Sequence, residues 1–166
     1  MLLAVRHLLS ILLLPFMVVV VVPSLLLPSA ESRGGPLGVL GAALFVVGLV
    51  VFARCVALFA LVGRGTLAPW DPTRELVAVG PYRFVRNPMI SAVAAMLFGE
   101  AVYFGSTAVA TWAVTFVAVN HLHFLLLEEP GLERRFGDSY REYKRRVPRW
   151  LPRLRSDGDV GSRQQR

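Results

Sequence analysis

The chain opens with two long runs free of charge. Leu8 to Ala30 contains no Asp, Glu, Lys or Arg, and neither does Gly34 to Ala53. A helix rises about 1.5 Å per residue, so about 20 apolar residues cross a hydrocarbon core of about 30 Å. These runs predict helix one over about Leu8–Leu27 and helix two over about Leu37–Val62. Ala101 to Leu127 is also uncharged, but Gly105-Ser106 breaks it as a tight connection would. The result is helix three over about Pro88–Phe104 and helix four over about Thr107–Leu127. Helix three reaches only about 26 Å, short for a full crossing. The expected fold class is an all-α polytopic membrane bundle of about four transmembrane helices, with a C-terminal interfacial amphipathic helix. Helix one is read as a retained span, because its uncharged run exceeds the usual signal-peptide core of about 7–15 residues.

Between and after these spans the pattern changes. The stretch Gly63–Asn87 holds Gly63, Gly65, Pro69, Pro72, Gly80 and Pro81, so it reads as a long loop. Asn87-Pro88 reads as an N-cap followed by proline at the first helical position. Beyond helix four, Leu132, Phe136, Tyr140, Tyr143 and Val147 recur at helical spacing, an apolar stripe expected to lie along the membrane. Gly137 interrupts it, and Ser139-x-x-Glu142 has the form of a capping box. Ser91, Ala95 and Gly99, four apart, read as a close-packing seam between helices. The domain reading is 1–64 for the first two spans, 65–152 for loop, helical hairpin and amphipathic helix, and 153–166 for a disordered basic tail.

Composition supports the membrane reading: 55% of residues are apolar and 17% charged, against about 45–50% and 25% in soluble domains. The net charge of +7 would normally raise nucleic acid as a partner. However, sixteen of the 18 basic residues lie on one side of a four-span arrangement, and only Arg33 lies on the other. That asymmetry puts both termini and the long loop in the cytoplasm and makes membrane lipids, not nucleic acid, the expected partner. Lys144 is the one lysine among many arginines, a bias of GC-rich genomes that suggests a bacterial cell membrane. Cys55 is alone and reads as a small buried hydrophobe.

Few side chains could carry chemistry. Glu100 falls inside helix three and Arg54 inside helix two; ionisable groups in a membrane are costly and usually paired, so an Arg54–Glu100 ion pair or a substrate cavity is expected. Near the end of helix four come Asn120, His121, His123, Glu128 and Glu129, with His121 and Glu128 on one helical face. One His and one Glu two turns apart do not close a metal site, and no metal is expected. The chain lacks a Gly-x-Gly-x-x-Gly fingerprint after a strand and a P-loop. A nucleotide-like cofactor would therefore rest on loop and helix ends.

Gly80-Pro81-Tyr82-x-x-x-Arg86-Asn87-Pro88-Met89, then Glu128-Glu129-x-x-Leu132, then Phe136-Gly137-x-x-Tyr140-x-x-Tyr143-x-x-x-Val147-Pro148, resembles the isoprenylcysteine carboxyl methyltransferase family. That family is similar to the phospholipid N-methyltransferases and, remotely, to the C-terminal part of steroid 5α-reductases. The resemblance covers about Gly65–Pro152. It implies an integral-membrane enzyme that uses S-adenosylmethionine on a lipophilic small-molecule or lipid acceptor. It also implies cofactor contacts at Leu76, Val77, Gly80, Tyr82, Arg86, Asn87, Pro88, Met89, Ile90 and Glu128. In that reading Glu128 pairs with the cofactor's ammonium, while Arg86 and amides near the helix start suit its carboxylate. Two positions depart from the family pattern. Asn87 stands where the family usually has His, and Phe124 where the prenylcysteine branch has an acceptor-binding Arg. His121, Phe124, Glu100 and Arg54 are the candidate acceptor-binding residues, and no catalytic base is assigned. A NADPH-dependent reductase or a non-catalytic membrane protein would share the hairpin motif, though paired carboxylates sit poorly beside a 2′-phosphate.

Overall fold

A computed structural model describes residues 12–27, 31–62 and 76–150 of the chain. All regular structure among them is helical. The first helix, α1, is wound as a π-helix over Leu12–Val21 and continues as an α-helix over Val22–Leu26. Then come α2 (Gly35–Leu61), a 3₁₀ turn (Gly80–Arg83), α3 (Pro88–Phe104) and α4 (Thr107–His123). A π turn over Phe124–Glu128 leads to α5 (Glu129–Phe136), and α6 (Asp138–Arg146) follows. The expected start of helix one, most of the loop and the C-terminal tail lie outside the described residues.

Helix α3 is the centre of the bundle. It packs along α2 and α4 and touches α1. Its Ala92, Val93, Met96 and Leu97 form the core with Val19, Phe52 and Ala113. The α2–α3 contact is close because glycine faces backbone there. A Cβ on Gly41 would lie 2.7 Å from the Gly99 carbonyl, and one on Gly48 would lie 2.6 Å from the Ala92 carbonyl. The seam therefore runs through Gly41 and Gly48 of α2 against Gly99 and Ala92 of α3. Of the expected seam only Gly99 takes part in this closest approach; Ser91 and Ala95 are half-buried.

The helix ends follow from local chemistry. Gly105 has φ +63 and terminates α3 in the left-handed region that glycine tolerates. Ser106 donates its N–H to the Ala101 carbonyl (3.0 Å), and its Oγ accepts from the Val109 N–H (3.2 Å), which starts α4. The bounds expected for helix three coincide with those observed. Helix four does not stop at Leu127 as expected. Pro130 has no N–H to give the Leu126 carbonyl and would collide with it in α winding. The helix loosens instead into π bonding, with the Glu129 N–H on the Phe124 carbonyl, and continues into α5. In α1 the same chemistry recurs. With π winding, the Val18 carbonyl would need an N–H from Pro23, and the Trp112 indole donates to it at 3.1 Å.

Two expected caps are absent. Asn87 occupies the position before α3, but its side chain makes no cap. The helix after Gly137 starts at Asp138, which puts Ser139 inside α6 rather than at its cap. The left-handed Gly137 (φ +53) does separate α5 from α6 as expected.

Two stretches are long and apolar enough to cross a membrane, α2 and the run Thr107–Phe136; α1 and α3 are shorter. Val39, Leu40, Val47 and Val50 of α2 are exposed, as are Val114, Val119 and Leu122 of α4. Large apolar side chains turned outward along a helix suit lipid, not water.

Replacing Gly99 with Leu forces the α2 backbone away and is expected to cost about 1–3 kcal/mol. Gly131 lies in α5 with open space around its missing Cβ, so Gly131→Ala is expected to be neutral or stabilising. Unfolding midpoints in detergent–denaturant titrations check both.

Candidate functional site

The end of the bundle opposite Gly105 gathers most of the polar residues that the sequence singled out. The connector into α3 is fixed there by burial. Gly80 turns with φ +60, close against Leu58 of α2. Tyr82 then packs beside Cys55 and Val77, and its ring stacks on Phe59 with centroids 5.6 Å apart. The Tyr82 carbonyl accepts a hydrogen bond from the Tyr143 hydroxyl at 2.7 Å, and the Arg86 N–H donates to the Pro148 carbonyl at 2.9 Å. The segment after α6 thus folds back onto the connector.

One carboxylate ties these pieces together. Glu129, only 4% exposed, accepts from Arg86 at 2.5 Å and from Arg149 Nε at 2.9 Å. Arg149 reaches its second oxygen at 3.1 Å, and Lys144 lies 3.2 Å from that oxygen. A buried carboxylate persists only when its charge is matched and its lone pairs are used. Here the connector, α6 and the segment after α6 each supply a cation.

The two adjacent acids differ sharply. Glu128 is exposed while Glu129 is buried, and no ion pair to Glu128 occurs among the described residues. Its charge nevertheless reaches Tyr82 and Tyr140, so Glu128 and Tyr82 belong to the same end of the molecule. Burial pushes the Tyr140 hydroxyl up to about 12, with the Glu129 charge adding to it. Burial likewise lifts Tyr82 well above its ordinary value and raises Tyr143. All three phenols stay neutral at physiological pH and can donate hydrogen bonds, not act as bases.

The candidate cofactor residues divide by environment. Val77, Tyr82, Asn87 and Pro88 are buried, Leu76, Met89 and Ile90 half-buried, and Gly80 and Glu128 exposed. The Asn87 amide nitrogen is buried without a partner among the described residues. Arg86 bonds Glu129 through Nη1, while its Nε is buried without a partner among the described residues. The acceptor candidates are scattered. Phe124 is 3% exposed and belongs to the interior. His121 accepts from the Trp150 indole at its Nδ1, 3.0 Å away. The expected Arg54–Glu100 pair does not form. Gly41 lies level with Gly99, so Arg54, thirteen residues further along α2, is about 20 Å from the level of Glu100. The stripe Leu132–Val147 also departs from expectation, since Tyr140 and Val147 are buried and Tyr143 bonds the connector. Part of it therefore faces protein, while Leu132 and Phe136 are half-buried.

Sequence reasoning missed Arg149 and Lys144 as partners of Glu129. The available signal was a lone acid doublet between an apolar helix and a run rich in cations. Among the described residues no group of three metal-binding side chains occurs.

The bundle thus draws a polar connector, an acid doublet and a basic segment together at one end. The chain is a member of the phospholipid methyltransferase family, whose model matches residues 36–139, well over half of it. Methyltransferases of this family generally use S-adenosylmethionine. No curated protein and no solved structure matches the chain.

Removing the hub carboxylate leaves clustered cations unpaired. Glu129→Ala is expected to cost about 3–5 kcal/mol, whereas Tyr143→Phe, which removes one hydrogen bond, should cost about 1 kcal/mol. Limited proteolysis of residues 137–150 in the folded protein checks the order of the two effects.

Proposed function

We propose that the chain transfers the methyl group of S-adenosylmethionine to a carboxylate or amine of a lipophilic, isoprenoid- or phospholipid-like acceptor that enters from the bilayer. The observation that carries this reading is two polar groups at the family's motif positions, one buried without a partner and one exposed. The buried Asn87 amide lacks a partner, and Glu128 stands exposed beside a carboxylate already neutralised. They fit a zwitterionic, purine-bearing cofactor. Glu128 would hold its ammonium, Asn87 would donate to an oxygen or ring nitrogen, and Leu76, Val77, Met89 and Ile90 would cover its apolar parts. Gly80 and Pro88 shape the backbone on either side. Tyr82 contributes by fixing the connector, since one face of its ring is taken by Phe59. Arg86 acts one step removed, by holding Glu129.

S-adenosylmethionine supplies an activated methyl group, so the protein's task is to align the nucleophile behind it and exclude water. A carboxylate acceptor needs no base. With Phe124 buried, the acceptor-binding arginine of the prenylcysteine branch has no replacement at that position. His121 is a polar group near the end of α4 that could meet an acceptor headgroup. Because the indole of Trp150 occupies Nδ1, the neutral ring carries its proton on Nε2 and offers a donor there. We further propose four crossings, α1 to α4, with both termini cytoplasmic. In this arrangement residues 65–152 form the cofactor-binding unit.

Glu128→Gln is expected to weaken S-adenosylmethionine binding about tenfold or more, in line with about 1.5–3 kcal/mol for a charged hydrogen bond. Asp138→Asn, at an exposed side chain, should leave it unchanged. Calorimetric titration of the purified protein measures both, and equal affinities would overturn the site. Mass spectrometry of lipids from cells fed labelled methionine, with and without the protein, tests the acceptor class.

A further inference from the structure

Asn87 is 6% exposed, and its amide nitrogen is buried without a partner among the described residues. A ligand does not reach that nitrogen while the polar end keeps this conformation. An unpaired buried donor is costly, so a site that uses it has to open and close around it. The segment placed to move is the one after α6. Helix α6 ends at Arg146, and Val147 turns the chain into extended backbone. Val147 is buried, whereas Pro148, Arg149 and Trp150 are half-buried and lie outside any helix.

These three residues form a strap with one tether each. The Pro148 carbonyl accepts from the N–H of Arg86, the neighbour of Asn87, at 2.9 Å. Arg149 bonds both oxygens of Glu129, the neighbour of Glu128, at 2.9 and 3.1 Å. The Trp150 indole donates to Nδ1 of His121 at 3.0 Å, which carries the strap across to α4. The strap is thus tied to residues adjoining both proposed cofactor contacts. All three tethers are polar, and local opening is favoured where few apolar contacts hold a segment. Lifting the strap also leaves the hub carboxylate matched, because Glu129 keeps Arg86 and Lys144.

We propose that residues 148–150 are a gate, hinged at Val147 and latched by the Trp150–His121 bond, that lifts to let the cofactor reach Asn87; this rests on the reading of Asn87 and Glu128 as cofactor contacts. Trp150 is then a positioning residue. It acts through the strap and sets how often the site opens. Trp150→Phe keeps an aromatic ring and removes the N–H, so the closed state loses one hydrogen bond and the opening equilibrium rises about fivefold. The latch holds the closed form with or without cofactor. Entry and exit therefore quicken together, and affinity holds.

Two measurements on the full-length protein in nanodiscs test the gate without cofactor. Hydrogen exchange of the Arg86 amide, whose partner is the Pro148 carbonyl, should be about fivefold faster in Trp150→Phe, with the amides of α3 unchanged. In a Cys55→Ser, Asn87→Cys background, a small charged methanethiosulfonate should modify the new thiol about fivefold faster once Trp150→Phe is added. Equal exchange at Arg86, or equal labelling, in variants that keep their helix content by circular dichroism would overturn the gate. Stopped-flow binding of S-adenosylmethionine completes the test. Association and dissociation both about fivefold faster, at unchanged Kd, are expected. A changed Kd with unchanged rates of entry would make Trp150 a ligand contact and overturn the latch. No binding by either protein would remove the cofactor reading, and the gate's purpose with it, even where the strap opens.

Discussion

The arrangement of the polar end depends on the burial of one negative charge. Glu129 lies at the junction where a long apolar helix turns into a short polar one, and it is withdrawn from water. A carboxylate there must be neutralised locally. Arg86 from the connector, Lys144 from α6 and Arg149 from beyond it converge on its two oxygens. The connector is also held by apolar burial of Val77, Tyr82 and Val85; the common counter-ion ties α6 and the segment after it to that connector.

Once those cations are drawn in, other placements follow. The Arg86 backbone bonds to Pro148 and the Tyr143 hydroxyl bonds to Tyr82, closing the segment after α6 over the connector. The apolar stripe of α5 and α6 then has a protein surface to bury. Tyr140, 1% exposed, feels the charges of both Glu129 and Arg86, and its hydroxyl is buried without a hydrogen-bond partner among the described residues. The adjacent Glu128 is released from this structural duty. Two neighbouring acids on a helix point about 100° apart, so one can be withdrawn into an ion cluster while the next remains open to a ligand.

The helices were legible in the sequence because their signals are local. Gly105-Ser106 announces a left-handed stop and a hydroxyl cap, and the bounds of α3 follow from it and from Pro88. The pairings were less legible, because they depend on helix register. Arg54 and Glu100 have complementary charges and both fall inside helices. The Gly41–Gly99 contact, however, sets α2 and α3 so that the two residues lie about 20 Å apart along the bundle. Spacing within one helix carries no information about register between two. That Tyr140 and Val147 of the α5–α6 stripe would be buried against protein was illegible for a related reason. Periodicity shows that a face is buried but not whether lipid or protein covers it.

The π turn at Phe124–Glu128 connects these observations. Pro130 cannot continue the α pattern, and the longer π bond allows the helix to pass it without a sharp break. A full kink would carry α5 away from the connector and leave Glu129 out of reach of Arg86. Uninterrupted α winding would rotate the acid doublet relative to α4 by a different amount. The proline that looks like a helix terminator in the sequence therefore sets the direction in which the two acids leave the helix. The division of labour between Glu128 and Glu129 rests on that local choice of winding.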